Sequence, residues 1–274
     1  MTQFILDLLG EMILGVNNPG NGILIQTPQE YNSGLYNIIM QISNNAVLPV
    51  AYVILGCLFM LELHQITIRT EGMNSNGFEI PFKAMFKIVV CKYFVDSTPL
   101  LMGAIYNIST RIIGNIGGVV SSEVVTPDMD QITQLAKFIT ELDFATRLMY
   151  AALTLIIWII YKFTMIAVSL IILGRMFEIY IHLAIAPLPM ATLPNKDLSS
   201  IAKNFMKSFA AVSVQGVLIF LVLIIYGVLV GGMVSDFDPS HFTSVLMQMT
   251  LYAVALAYSI FMTGKWSKSI CNAM

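Results

Sequence analysis

The chain has 274 residues, of which 57% are hydrophobic and only 11% charged, with a formal net charge of −2. An average globular protein carries roughly 25% charged residues, so this is the composition of a polytopic membrane protein, and it excludes most soluble enzyme classes. The faintly acidic balance also argues against an outer surface built to bind nucleic acid.

Residues 3–16 have helical periodicity. Phe4, Ile5, Leu8, Leu9, Met12, Ile13 and Val16 cover one half of the helix, and Gln3, Asp7 and Glu11 the other, which predicts a helix lying in the membrane interface. The two acids without any Lys or Arg argue against a cleavable signal peptide. Asn17-Asn18-Pro19-Gly20-Asn21-Gly22 is a turn-rich break. Residues 31–45, with Asn32, Asn37, Gln41, Asn44 and Asn45, predict a second lead-in helix, so 1–45 forms an extracytoplasmic or interfacial lead-in.

Asp, Glu, Lys and Arg are absent from 31–61, 208–235 and 239–264, each run longer than the ~20 apolar residues that cross the hydrocarbon core. The fold class is therefore all-α. Five spans are expected, at about 46–66, 88–110, 148–173, 208–233 and 242–264, making 46–264 a transmembrane helical domain. Pro49 sits in the first turn of the first span, where its missing N–H costs little. The second span is poorer, because it carries Lys92 and Asp96. A loop with Glu123, Pro127, Asp128 and Asp130 follows, then an amphipathic helix through Gln134, Lys137, Glu141 and Asp143.

Segment 175–194 is apolar enough to be a sixth span, yet Arg175, Glu178 and His182 fall within about one-sixth of a helical circumference. Pro187, Pro189 and Pro194 then interrupt it. Five spans with the N-terminus outside put Arg69, Lys83, Lys87, Arg175, Lys196, Lys203, Lys207, Lys265 and Lys268 in the cytoplasm, and only Arg111, Lys137 and Arg147 outside. A sixth span would move Lys196, Lys203 and Lys207 outside, against the positive-inside rule. The reading is a protein of the cell membrane, N-terminus out and C-terminus in. Segment 175–207 is a bent or re-entrant element on the cytoplasmic side, and 265–274 a cytoplasmic tail anchored by Trp266.

Among polar residues in spans, Lys162 stands out. A Lys at the centre of a helix in lipid costs roughly 2.5–3.5 kcal/mol, and it lies ~20 Å from either end of its run at the helical rise. It needs a partner, for which Asp96, Glu62 and a backbone carbonyl are the candidates. Lys92 and Asp96, four apart, can neutralise each other on one face. Glu62, with Arg69 and His64, anchors an interface or relays protons. The Arg175, Glu178 and His182 stripe is either an ion path or the wet side of an interfacial helix. Gly216, Gly227 and Gly231 share a face, and the last two form a GxxxG pair that permits close helix approach. Ser244, Gln248, Tyr252, Ala255 and Ser259 make a small or polar stripe, and with Gln215 they are candidates for helix packing or a pore lining.

Cys57, Cys91 and Cys271 lack metal-like or CxxC spacing. No HExxH, Walker A loop, GxGxxG or nucleophile elbow occurs, so no catalytic residue, metal or cofactor is expected, and no enzyme. No internal repeat of the kind seen in many secondary transporters is visible.

Several stretches resemble a known family. They are Asn44-Asn45-Ala46-Val47-Leu48-Pro49 with Glu62-Leu63, then Arg175-Met176-Phe177-Glu178-Ile179-Tyr180 followed by Ala184-Ile185-Ala186-Pro187-Leu188-Pro189-Met190-Ala191-Thr192. Lys207-Ser208-Phe209-Ala210-Ala211 with Gln215-Gly216 continues the pattern. The chain resembles TrbL-like polytopic inner-membrane subunits of type IV secretion systems over about 35–265, in the short form of conjugative elements in Gram-positive bacteria, particularly Firmicutes. The 175–216 block is the specific part. The resemblance implies a scaffold or conduit of the mating channel, assembled with further copies of itself, other membrane subunits and a motor ATPase. Single-stranded DNA with its relaxase would pass, touching this chain only indirectly or within an assembled lumen. The alternative from another class is a secondary transporter or ion-coupled permease using Lys162, Asp96 and Glu62.

Overall fold

The computed structural model describes residues 2–14, 21–70, 79–120, 137–235 and 242–273, which form helices joined by turns, without a strand among them. The helices are α1 Thr2–Leu14, α2 Asn21–Ile25, α3 Pro28–Tyr31, α4 Ser33–Ile42, α5 Leu48–Thr70, α6 Glu79–Asp96, α7 Thr98–Val120, α8 Phe144–Ile185, α9 Pro187–Met190, α10 Ser199–Ser235 and α11 Phe242–Ile270. Residues 137–141 are also helical. The turn-rich residues 17–20, the loop with Glu123, Pro127, Asp128 and Asp130, Gln134, and the pair Asp236 and Asp238 lie outside the described residues. Four stretches are long and apolar enough to cross a membrane: Ser33–Gln65, Phe144–Ile185, Ser199–Met233 and Phe242–Ile270. The bent pair α6 and α7 makes a fifth if taken as one span.

The first long helix begins earlier than the charge pattern alone suggests. Thr27 opens α3 with a capping box, its hydroxyl accepting the Glu30 N–H at 3.3 Å while Glu30 accepts the Thr27 N–H at 2.8 Å. Asn32 ends α3 and caps α4, its side-chain oxygen accepting the Leu35 N–H at 2.9 Å. From Ser33 the helix then runs into α5 through a π-helical turn, Ser43–Val47, in which the Leu48 N–H reaches back to the Ser43 carbonyl. The extra residue in that turn precedes Pro49, which can neither donate to the ladder nor tolerate the carbonyl four residues back. The proline is thus absorbed, and 31–45 is not a separate lead-in helix from Ser33 onward.

The expected second span, in contrast, is broken. α6 and α7 meet at Ser97 with a bend of 57°. Pro99 explains it, since its ring opposes the Val95 carbonyl and it has no N–H to give. The Thr98 hydroxyl donates to the Phe94 carbonyl at 3.0 Å, and the Leu101 N–H to Ser97 at 3.1 Å, so the break keeps its backbone groups bonded.

α8 is a single helix of 42 residues, ~63 Å long at the helical rise. No proline interrupts it before Pro187, so Arg175, Glu178 and His182 continue the third span instead of starting a new element. Reversal is confined to 186–198. There Asn195 Oδ1 accepts the N–H groups of Asp197 and Leu198 at 2.9 and 3.2 Å, and the Thr192 hydroxyl donates to the Pro189 carbonyl at 2.7 Å. Pro187, Met190, Ala191, Thr192, Pro194 and Asn195 are buried in this corner.

The chain divides into two compact units. The first is Met1–Ile25, Thr110–Gly174 and Gln215–Trp266; the second is Gln26–Ser109, Arg175–Val214 and Ser267–Met274. In the first, α1 buries Ile5, Leu8, Leu9 and Met12, one stripe at helical spacing. Ile5, Leu9 and Met12 join Tyr161, Val168 and Ile172 of α8, Phe220, Leu223 and Tyr226 of α10, and Met249 and Leu256 of α11 in one cluster. The second unit has a core in which Ala51 and Leu55 of α5 and Cys91 and Val95 of α6 pack with Met190, Ala191 and Ala202.

Candidate functional site

Arg175 is the most deeply buried charged side chain among the described residues, 2% exposed. It lies within the second unit. Its Nε donates to the Val212 carbonyl of α10 at 3.1 Å, and Nη2 donates to the Tyr106 hydroxyl of α7 at 3.2 Å. The guanidinium also sits over the Tyr106 ring, 5.4 Å from its centroid, a cation–π contact. Nη1 is buried without a partner, and among the described residues no carboxylate pairs with the group. A buried charge without an anion is costly unless hydrogen bonds compensate it, so this cation holds its place through carbonyl and phenol dipoles.

The Tyr106 hydroxyl passes the interaction on, donating to the Gln26 carbonyl at 3.0 Å. Tyr180, five residues beyond Arg175 on α8, donates to the Pro28 carbonyl at 2.7 Å. The connector before α4 is therefore held by two tyrosines. Beside it lies a cavity of about 140 Å³ with Pro28, Tyr36, Met102, Tyr106, Leu183 and Phe209 in its wall. His182 faces the same unit. Its Nδ1 lies 2.7 Å from the Glu178 carbonyl and so carries the proton. Its ring is tilted against Phe205 and Phe209, with centroids 5.3 and 5.9 Å away. The Arg175, Glu178 and His182 stripe is not the wet side of an interfacial helix, because Arg175 points inward and His182 is half-buried among aromatics.

The other charged residues singled out by sequence belong to separate pairs. Lys162 is held by Glu11 of α1, none of the three partners expected for it. The same carboxylate accepts the indole N–H of Trp158 at 2.8 Å, and Lys162 lies 5.2 Å from that ring's centroid. Trp158 and Lys162 are four apart on α8, so one face presents both donors to Glu11. α1 therefore lies along α8 at the level of Lys162. Glu62 pairs with Lys87 at 3.0 Å. Asp96 accepts the Tyr52 hydroxyl at 2.5 Å, with Lys92 at 3.8 Å.

Gln215 Nε2 lies 3.5 Å from the Thr263 hydroxyl oxygen, and a Cβ built on Gly264 would meet the same nitrogen at 3.5 Å. Gly264 of α11 therefore lies beside Gln215 of α10, and sequence reasoning passed over it because no second glycine makes a motif with it. Gly216 and Gly231 are buried and Gly227 half-buried, while Gln248 and Ser244 of the α11 stripe are exposed. Pro187 is buried and Pro189 half-buried. All three cysteines are free. Among the described residues, no three His, Cys, Asp or Glu side chains are placed to hold a metal ion.

Comparison with known proteins bears on this arrangement. Residues 20–187, well over half the chain, match the family described as TrbL/VirB6 plasmid conjugal transfer like protein. The chain belongs to the TrbL/VirB6 family. No curated protein and no solved structure matches it. The TrbL/VirB6 match is shifted toward the N-terminus relative to the expected 35–265. It takes in Arg175, Glu178 and Pro187 and leaves out Pro189, Gln215 and Gly216. Family and fold together make the chain a multi-pass membrane component of a conjugal transfer system, whose partners are other subunits of that system.

Proposed function

We propose that the chain is a structural channel or scaffold subunit of a conjugative type IV secretion machine, helping to form the membrane conduit for single-stranded DNA and its relaxase. The family match over residues 20–187 carries this reading. The internal pairing of charges supports it. Lys162, Glu62 and Asp96 are held by Glu11, Lys87 and Tyr52 respectively, which suits helix assembly. A transporter would need the three to work as one relay, and each is held by a different partner. In-frame deletion of the chain is expected to abolish element transfer while leaving growth unchanged; normal mating by the deletion strain would refute the reading.

The chain's place in the machine follows as part of the same proposal. It sits in the cell membrane with its N-terminus out and its C-terminus in, in the short form of Gram-positive elements, beside further copies, other membrane subunits and a motor ATPase. A mild-detergent pull-down from the native host is expected to recover that ATPase. Ser199→Cys is expected to react with impermeant thiol reagents from the cytoplasmic side only; labelling from outside would reverse the orientation.

A further inference from the structure

The cavity beside the connector is walled by α3, α4, α7, α8 and α10, all through residues of the second unit. Its deep part is mainly apolar. Met102, Tyr106, Ile179, Leu183 and Phe209 line it, and none of them is more than 5% exposed. Gln29 and Asn107 also line it and are exposed, so one side opens at the surface of the unit. The connector wall is held in place, because the Tyr106 and Tyr180 hydroxyls bond the Gln26 and Pro28 carbonyls on either side of Thr27. Gly103 of α7 forms part of the wall, and a Cβ there would meet nothing within 4 Å. A glycine inside a helix weakens it relative to alanine; here it leaves space.

Size and lining together select an occupant. The volume is about 140 Å³, and a cavity of roughly 150 Å³ lined by Leu, Ile and Phe takes benzene. The space thus matches one aromatic ring. The Met102 thioether and the Phe209 ring are surfaces on which an aromatic ring gains more than an alkyl chain does. Of the tyrosine hydroxyls nearby, those of Tyr106 and Tyr180 are spent on backbone carbonyls. That of Tyr36, which also lines the cavity and is half-buried, makes no hydrogen bond among the described residues. A phenolic hydroxyl can donate or accept, so a ring that carries its own hydroxyl finds a partner there.

We infer that this pocket binds a single phenol-sized ring, which packs on Met102 and Phe209 and hydrogen-bonds the Tyr36 hydroxyl. The inference stands apart from the channel reading. The same chemistry is offered by a free one-ring phenolic compound and by a tyrosine side chain of another subunit.

The test uses the full chain in detergent with isotope-labelled methionine methyl groups, the Met102 resonance identified by Met102→Leu, and p-cresol as the probe. A saturable shift of the Met102 resonance is expected, and its loss in Gly103→Leu, whose side chain fills the space. A shift that grows without saturating, or one that is unchanged in Gly103→Leu, is partition into detergent and would overturn the assignment. Tyr36→Phe keeps the shape of the wall and carries the test where Gly103→Leu does not fold. It is expected to weaken p-cresol by about threefold or more, the worth of one hydrogen bond, and to leave toluene unaffected. Equal p-cresol binding by the native and Tyr36→Phe chains would also overturn it. Purification of the Gly103→Leu chain from its host then separates the two sources of the ring. Loss of one co-purifying subunit at equal chain abundance assigns the ring to a tyrosine of that subunit, and unchanged recovery assigns it to a free phenolic compound.

Discussion

The Arg175 guanidinium donates to the Tyr106 hydroxyl at 3.2 Å and stands over the same ring, with no acid among the described residues to balance its charge. Removing one partner of a buried polar pair exposes the survivor to the full desolvation penalty, whereas replacing the charge by an apolar side chain of similar volume is often neutral or stabilising. Tyr106→Phe is therefore expected to destabilise the chain in detergent by about 1–3 kcal/mol. Arg175→Met should cost less or raise the melting temperature. The double variant should recover most of the Tyr106→Phe loss, and a coupling of zero in that cycle would contradict the geometry.

Glu11 and Lys162 are 151 residues apart, and their pairing ties α1 to α8. Glu11→Gln and Lys162→Met each leave one charged group without its partner in an apolar setting, so membrane abundance of either variant should fall several-fold. The exchange Glu11→Lys with Lys162→Glu restores opposite charges at the same place and should recover at least half of the lost abundance. Trp158 limits the recovery, since its indole N–H can no longer reach a carboxylate at position 11. An exchange no better than the single variants would show that the pair does not hold α1.

These two pairs mark the boundary of what the sequence discloses. The all-helical architecture follows from apolar runs such as 208–235, because a backbone in lipid must satisfy its own hydrogen bonds. The sequence reading passed over Pro99 and took 88–110 as one span, because the effect of a proline depends on context: Pro49 is absorbed by a π-helical turn, while Pro99 produces a bend of 57°. The need of Lys162 for a partner was legible, and the identity of that partner was not, since only the docking of α1 brings Glu11 to it. For the same reason Arg175 reads as one of a polar stripe until Tyr106 and Val212 close over it. A periodic pattern shows which residues share a face, and the tertiary fold decides whether that face is wet.

The capping box at Thr27 makes a pH prediction. The Thr27 N–H, and after it the Thr27 hydroxyl, hold the Glu30 carboxyl below the usual carboxylate range. A group with a depressed folded pKa contributes stability that is present above its unfolded value of about 4.3 and is lost as pH falls through the folded value. The Thr27 amide resonance in detergent should thus titrate with a midpoint below about 4.3. A midpoint at or above it would mean that the Glu30 side chain does not close the box.

A contact between α10 and α11 that sequence reasoning missed is at Gly264. A Cβ there would sit 3.5 Å from Gln215 Nε2, an ordinary van der Waals distance, so a methyl group fits, while a bulky side chain directed at the amide would displace it. Gln215 in turn lies 3.5 Å from the Thr263 hydroxyl oxygen. Gly264→Ala should shift the melting temperature little, and it gains slightly from the better helix propensity of Ala. Gly264→Leu forces the helices apart or breaks the Gln215–Thr263 contact, for an expected cost of about 1–3 kcal/mol. Gln215→Ala opens space at that point and should relieve part of the Gly264→Leu penalty. If Leu is tolerated as well as Ala in the native background, α10 and α11 do not pack through Gly264.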